Sequence, residues 1–103
     1  MTKNTKFIWI LLPAFNEELS LNKLVQNILN IMNKNNLNFK IILIDDGSTD
    51  NTSKLAKKII PSNKLVLINH ALNRGLGETE RSGFEFIFHN AKTLMREYSD
   101  VSQ

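Results

Sequence analysis

Phe39-Lys40-Ile41-Ile42-Leu43-Ile44-Asp45-Asp46-Gly47-Ser48 is the stretch on which the fold turns. Ile41 to Ile44 are apolar without alternation, so neither side of the segment suits water. Such a run reads as a strand covered on both faces, the habit of parallel sheets. It stops abruptly at two carboxylates and a glycine. Asp45 to Asn51 is dense in turn formers, and Thr49 or Asp50 can cap the helix carrying Leu55, Ala56, Ile59 and Ile60. Pro61 ends that helix, because the residue before a proline is pushed toward extended backbone.

Outward from this core the same grammar repeats. Upstream, Leu21, Leu24, Val25, Ile28, Ile31 and Met32 recur at three- and four-residue steps, which predicts a helix with Ser20 as its N-cap. The Asn-rich run Asn33 to Asn38 ends it. Before that helix, Phe7 to Leu12 is a second unalternating apolar strand. Downstream, Leu65 to Ile68 is the third strand, followed by the loop Asn69 to Gly77. A last helix begins near Glu78 to Glu80, with Phe84, Ile87, Phe88, Ala91, Leu94 and Met95 as its expected buried stripe. There are no internal repeats and no linker.

Strand and helix alternate three times, so right-handed βαβ units and a parallel sheet follow. The expected fold is α/β: a Rossmann-like three-layer α/β/α arrangement in one domain over residues 1–103, strand order 3-2-1. In such sheets ligands sit beyond the carboxyl ends of the strands. That rule selects Pro13 to Glu18, Asp45 to Asp50 and Asn69 to Gly77, where most of the chain's unusual polar residues fall.

In the 3-2-1 order the first strand is an edge, although its Phe7–Leu12 run is the most apolar of the three. Proteins seldom leave a flat apolar edge open. A fourth strand would cover it, and Arg96 to Gln103 are too polar and too few to supply one. The expectation is a domain truncated at its carboxyl end. Dimerisation through the same edge is the alternative.

Composition excludes several classes. The 103 residues carry a formal charge of +3, but the lysines are scattered, which argues against a nucleic-acid patch. With no cysteine there is no disulfide framework and no thiolate metal site, compatible with a reducing cytoplasm. Phe7–Leu12 is far short of the roughly 20 apolar residues that span a bilayer. Pro13 and Asn16-Glu17-Glu18 follow it directly, unlike a signal-peptide cleavage site.

The two carboxylates and glycine place acceptor oxygens over the sheet edge, where they can read a base N–H edge, hold ribose hydroxyls or help hold a cation. A capped Asp-Gly turn is the bland reading of the same residues. Phe15 offers a surface to a base, with Glu17 an acceptor beside it; a proline-led loop into a helix N-terminus is the alternative. Asn73-Arg74-Gly75-Leu76-Gly77 lacks the position and third glycine of a dinucleotide fingerprint. Arg74 and Arg81 flank a helix start that could meet a diphosphate. His70 and His89 show no partner at ligand or catalytic spacing, and no Ser-His-Asp or Cys-His arrangement stands out.

Leu12-Pro13-Ala14-Phe15-Asn16-Glu17-Glu18, Ile44-Asp45-Asp46-Gly47-Ser48-Thr49-Asp50-Asn51-Thr52 and Asn73-Arg74-Gly75-Leu76-Gly77 through Arg81-Ser82-Gly83-Phe84, in this order, resemble the N-terminal half of glycosyltransferase family 2, a GT-A fold of inverting enzymes. The last segment most resembles the polyprenyl-phosphate (dolichol-phosphate mannose synthase-like) branch. The resemblance implies that Pro13, Phe15 and Glu17 border the nucleoside, Phe15 standing where tyrosine is often found. It implies that Ile44 and Asp46 contact the base or ribose, and that Arg81 contacts the nucleotide. It also implies Mg2+ or Mn2+ in the full-length parent, on an Asp-x-Asp motif that Asp100-Val101-Ser102 does not supply. The catalytic base and acceptor site are likewise expected beyond Gln103.

The expectation is therefore the donor-binding part of a transferase that moves a sugar from a UDP- or GDP-sugar to a polyprenyl phosphate, lipid or saccharide acceptor. It would work in the cytoplasm or on the membrane's cytoplasmic face, with no nucleic-acid partner and with membrane contact only through the missing region. The chain alone is expected to be inactive. The rival is a complete, non-catalytic nucleotide-binding or assembly module. A receiver-like phosphoacceptor domain is disfavoured because no acidic acceptor ends the third strand.

Overall fold

The computed structural model describes the backbone of residues 7–102 and the side chains of residues 7–89. Strand β1 (Phe7–Ala14) leads to helix α1 (Leu21–Lys34), β2 (Asn38–Asp46), α2 (Thr52–Ile59), a 3-10 turn (Ser62–Lys64), β3 (Leu65–His70) and α3 (Leu76–Ser102). The three strands form one parallel sheet in the order β1-β2-β3, the expected 3-2-1 sheet.

β2 is central, and Phe39, Ile41, Ile42, Leu43 and Ile44 are all at most 1% exposed. Each such side chain contributes roughly 2 kcal/mol by leaving water. The period of two sorts them by face. Phe39, Ile41 and Leu43 join Leu21 and Val25 of α1 and Ala56 of α2 in one cluster, which Ile8, Ile10, Leu12, Leu65 and Leu67 extend. On the other face α3 lies over β1 and β2: Gly83 meets Leu11, and Phe86 packs edge-on to Trp9 at 5.8 Å between ring centroids.

The element ends have physical causes. Asn36 adopts φ 52°, and Leu37 and Asn36 donate their N–H groups to the carbonyls of Met32 and Asn33. This left-handed closure shows how the Asn-rich run stops α1. Ile60 is extended ahead of Pro61, as its restricted backbone requires. Ser20 does stand at the N-cap of α1, but its hydroxyl makes no cap bond and donates to Glu17 Oε2 instead. At α2 the N-cap is Asn51, yet the capping acceptor is Asp50, which takes the Thr52 N–H at 3.0 Å.

The inward face of α3 departs from the sequence expectation. Phe84 and Phe88 are 59% and 63% exposed, whereas Thr79 and Gly83 are buried. Ala91, Leu94 and Met95 lie outside the residues whose side chains are described. Small side chains let α3 approach the sheet closely. A Cβ on Gly83 would stand 2.1 Å from Leu11 Cδ1 and 3.1 Å from both Cγ and Cδ2. Gly83→Ala, normally a gain of about 1 kcal/mol inside a helix, is therefore expected to cost about 1–2 kcal/mol here through overpacking. Urea unfolding of the single variant and of its Leu11→Ala double checks this: additive losses in the double would show that the contact is not the cause.

Candidate functional site

Parallel pairing brings the carboxyl ends of all three strands to one edge, with Ala14 beside Asp45, Asp45 beside Asn69 and Asp46 beside His70. Because side chains alternate, the two aspartates serve opposite faces. Asp45 follows Ile41 and Leu43 toward α2, where it accepts from Ser48 N at 2.9 Å and from the Ser53 hydroxyl, which also lies 2.7 Å from Asn69 Oδ1. Asp46 follows Ile42 and Ile44 toward α3.

Asp46 is 4% exposed and accepts three hydrogen bonds. Oδ1 accepts from His70 Nδ1 at 2.8 Å and Arg74 N at 2.9 Å, while Oδ2 accepts from Gly75 N at 2.8 Å. Burial alone would raise its pKa. The Arg74 amide, the hydrogen bond from the His70 ring and the Gly75 amide outweigh that effect and hold the carboxyl below the ordinary aspartate value. The same bonds anchor loop 71–75. Gly47, at φ 76°, lies so close beneath it that a Cβ would stand 2.6 Å from Asn73 N.

The loop after β1, residues 15–20, is fastened from the other side. Asn16 has φ 52°, a conformation Asn tolerates better than most side chains. Its Oδ1 accepts from Thr49 N at 2.8 Å and Asp50 N at 3.3 Å, and its own N–H donates to Ser48 Oγ at 2.9 Å. Glu17 N donates to Thr52 Oγ1 at 3.0 Å, and Glu18 N to Asp50 Oδ2 at 3.2 Å. Asp50 is held below the usual carboxylate range by the Thr52 hydroxyl above all; desolvation opposes this, and the Thr52 and Glu18 amides add to it. The loops after the three strands thus form one hydrogen-bonded rim.

Five of the six residues singled out from sequence fall on this rim or directly beneath it. Pro13 is exposed near the end of β1, and Glu17 and the 44% exposed Phe15 lie on the loop that Asn16 clamps. Ile44 is fully buried, a floor under Asp46. Arg81 stands apart on α3, pairing with Glu85 one turn on at 3.3 Å. Sequence reasoning missed Asn16 as the clamp, and it missed His70. The histidine expected to lack a partner bridges Asp46 and Ser82, with Nε2 at 2.9 Å from Ser82 Oγ. The fit for a metal is poor: Asp45 and Asp46 face apart, and most of their acceptor positions are already taken by hydrogen bonds. Among the described residues no three His, Cys, Asp or Glu side chains gather as a metal site. A cleft of about 190 Å³ between Glu18, Asn51, Lys54, Leu55 and Lys58 opens on the α2 side, below the roughly 300–1,000 Å³ of ligand pockets.

Comparison with known proteins shows the family. Residues 9–90 match the family model described as glycosyl transferase family 2. The UDP-N-acetylglucosamine–dolichyl-phosphate N-acetylglucosaminyltransferase of Methanococcus voltae is 32% identical over 78% of this chain and 35% of its own length. The dolichyl-phosphate beta-glucosyltransferase of Mus musculus is 34% identical over 88% of this chain and 30% of its own. The undecaprenyl-phosphate 4-deoxy-4-formamido-L-arabinose transferase of Shewanella sediminis is 30% identical over 82% and 26%. The chain spans about a third or less of these curated relatives.

Proposed function

Since the chain belongs to glycosyltransferase family 2, we propose that its rim is the nucleoside side of a donor site for a UDP- or GDP-sugar. The parent protein transfers that sugar, with inversion, to a lipid-linked acceptor, polyprenyl phosphate being favoured by the names of the relatives. The observation that carries this reading is the fastening of the three strand-end loops into one rim, through Asn16 and Asp46, where an open α/β sheet binds ligands. Phe15 and Pro13 offer the base an apolar surface, Glu17 an acceptor for ribose, and Asp46 an acceptor for a ring N–H. Ile44 supports Asp46 from below, and Arg81 attracts the diphosphate once it leaves Glu85.

The remaining machinery belongs to the rest of the parent. The Mg2+ or Mn2+ of the reaction would be held outside these residues. α3 lies on the face opposite α1 and α2 and runs back over β1, which supports a further strand at the free edge of β1 in a larger domain. Among the described residues no helix is long and apolar enough to cross a membrane. Donor binding in this reading takes place in the cytoplasm or on the membrane's cytoplasmic face, with the lipid-linked acceptor met by other parts of the parent.

Titration of the chain with UDP and GDP, followed by calorimetry, tests the proposal. Saturable binding of either, weakened at least about tenfold by Phe15→Ala as a lost stacking contact would, supports it. Absence of binding by both nucleotides refutes it.

A further inference from the structure

We propose that His70 is a positioning residue for base recognition, acting through Asp46; this rests on the donor-site reading above. An ionised carboxylate only accepts, so the proton between the two groups sits on His70 Nδ1, 2.8 Å from Asp46 Oδ1. In the neutral ring Nε2 is then bare and accepts the Ser82 hydroxyl proton at 2.9 Å. The imidazole is pinned at both nitrogens, between the end of β2 and the second turn of α3, and is itself 8% exposed.

What this does to Asp46 can be counted. A carboxylate offers about four lone-pair positions. His70 and Arg74 fill Oδ1, and Gly75 fills one position on Oδ2. One acceptor position is left, on Oδ2. Without His70 the carboxylate would keep its two amide bonds but gain a second free position on the other oxygen and a freedom to rotate. His70 therefore fixes which oxygen meets a ligand and along which direction. The ligand chemistry that suits a single fixed acceptor is a base with a ring N–H, as in uracil or guanine, and not adenine.

The order Asp46–His70–Ser82 is also that of a nucleophilic triad, but the surroundings do not suit one. Ser82 lies inside α3, where backbone N–H groups are spent on carbonyls four residues back, so no pair of free amides can receive an oxyanion. The relay orients a carboxylate; it does not activate the serine.

The test compares UDP with N3-methyl-UDP and GDP with N1-methyl-GDP on the 103-residue chain. The wild type should discriminate against the methylated nucleotide by about tenfold or more, the scale of a lost hydrogen bond to a charged group. His70→Phe should compress that ratio to about threefold or less, and His70→Asn, which keeps a donor near Nδ1, should restore most of it. A general structural role would lower affinity for both nucleotides equally and leave the ratio unchanged. Should His70→Phe fail to fold, Ser82→Ala answers the same question by freeing one end of the ring: a compressed ratio supports the proposal, and an unchanged ratio overturns it. Wild-type binding without methyl discrimination overturns it too. No binding of UDP or GDP at all defeats the donor-site reading itself.

Discussion

Gly47→Ala is expected to destabilise the chain by about 3 kcal/mol in urea unfolding, enough to leave a small domain marginal. Two costs add. At φ 76° a side chain meets the left-handed penalty of about 1–2 kcal/mol. The new methyl would also stand 2.6 Å from Asn73 N and 2.7 Å from Leu72 C, both backbone atoms of a loop already tied to Asp46. That loop cannot yield without giving up those bonds. Gly75 separates the two costs. It has φ 90°, yet nothing lies within 4 Å of its added Cβ, so Gly75→Ala should lose only the conformational part. Equal losses at the two glycines would show that the close approach of the loops contributes nothing.

The same loop shows where sequence reading reached and where it stopped. Unbroken apolar runs in β1, β2 and β3 identify a sheet covered on both faces, and their alternation with helices dictates its parallel order. The rim followed from a rule about strand ends. What sequence did not reveal was pairing between segments far apart in the chain. His70 looked partnerless because its partner is 24 positions away and depends on register. A signal was present: Ile44 and Ile68 each end an apolar run, and pairing them sets Asp46 beside His70. The face of α3 was misread for a different reason. Periodicity weights large apolar residues, so it chose Phe84 and Phe88, but the sheet lies close enough that the contact is made by Thr79 and Gly83. Close packing favours the smallest residues, which a hydrophobic pattern scores least. Asn16 was quoted within a motif, but its φ of 52° and its grip on the 48–50 turn become visible only once the two loops are adjacent.

Asp46→Asn should be the most damaging polar substitution in the chain, and acid should erase the difference. Asparagine keeps the volume but replaces one acceptor oxygen with a donating NH2, so at least one of the Arg74, Gly75 and His70 N–H groups then faces a donor. At neutral pH the variant should unfold at clearly lower urea than the wild type, whereas Glu85→Gln, on the exposed Arg81–Glu85 pair, should be close to unchanged. The pH dependence has a definite sign. Asp46 and Asp50 are both held below the ordinary aspartate value in the folded state. As pH falls through about 4 the unfolded chain takes up protons that the folded chain refuses, so stability is full above that value and is lost progressively below it. Asp46→Asn removes one of the two groups responsible, so the wild type should lose stability more steeply between about pH 4 and 2 and the two curves should converge. A gap that stays constant from pH 7 to pH 2 would mean that the Asp46 charge does not hold loop 71–75. The donor site would then need another anchor, since an acceptor for a base N–H is useful only where its own orientation is fixed.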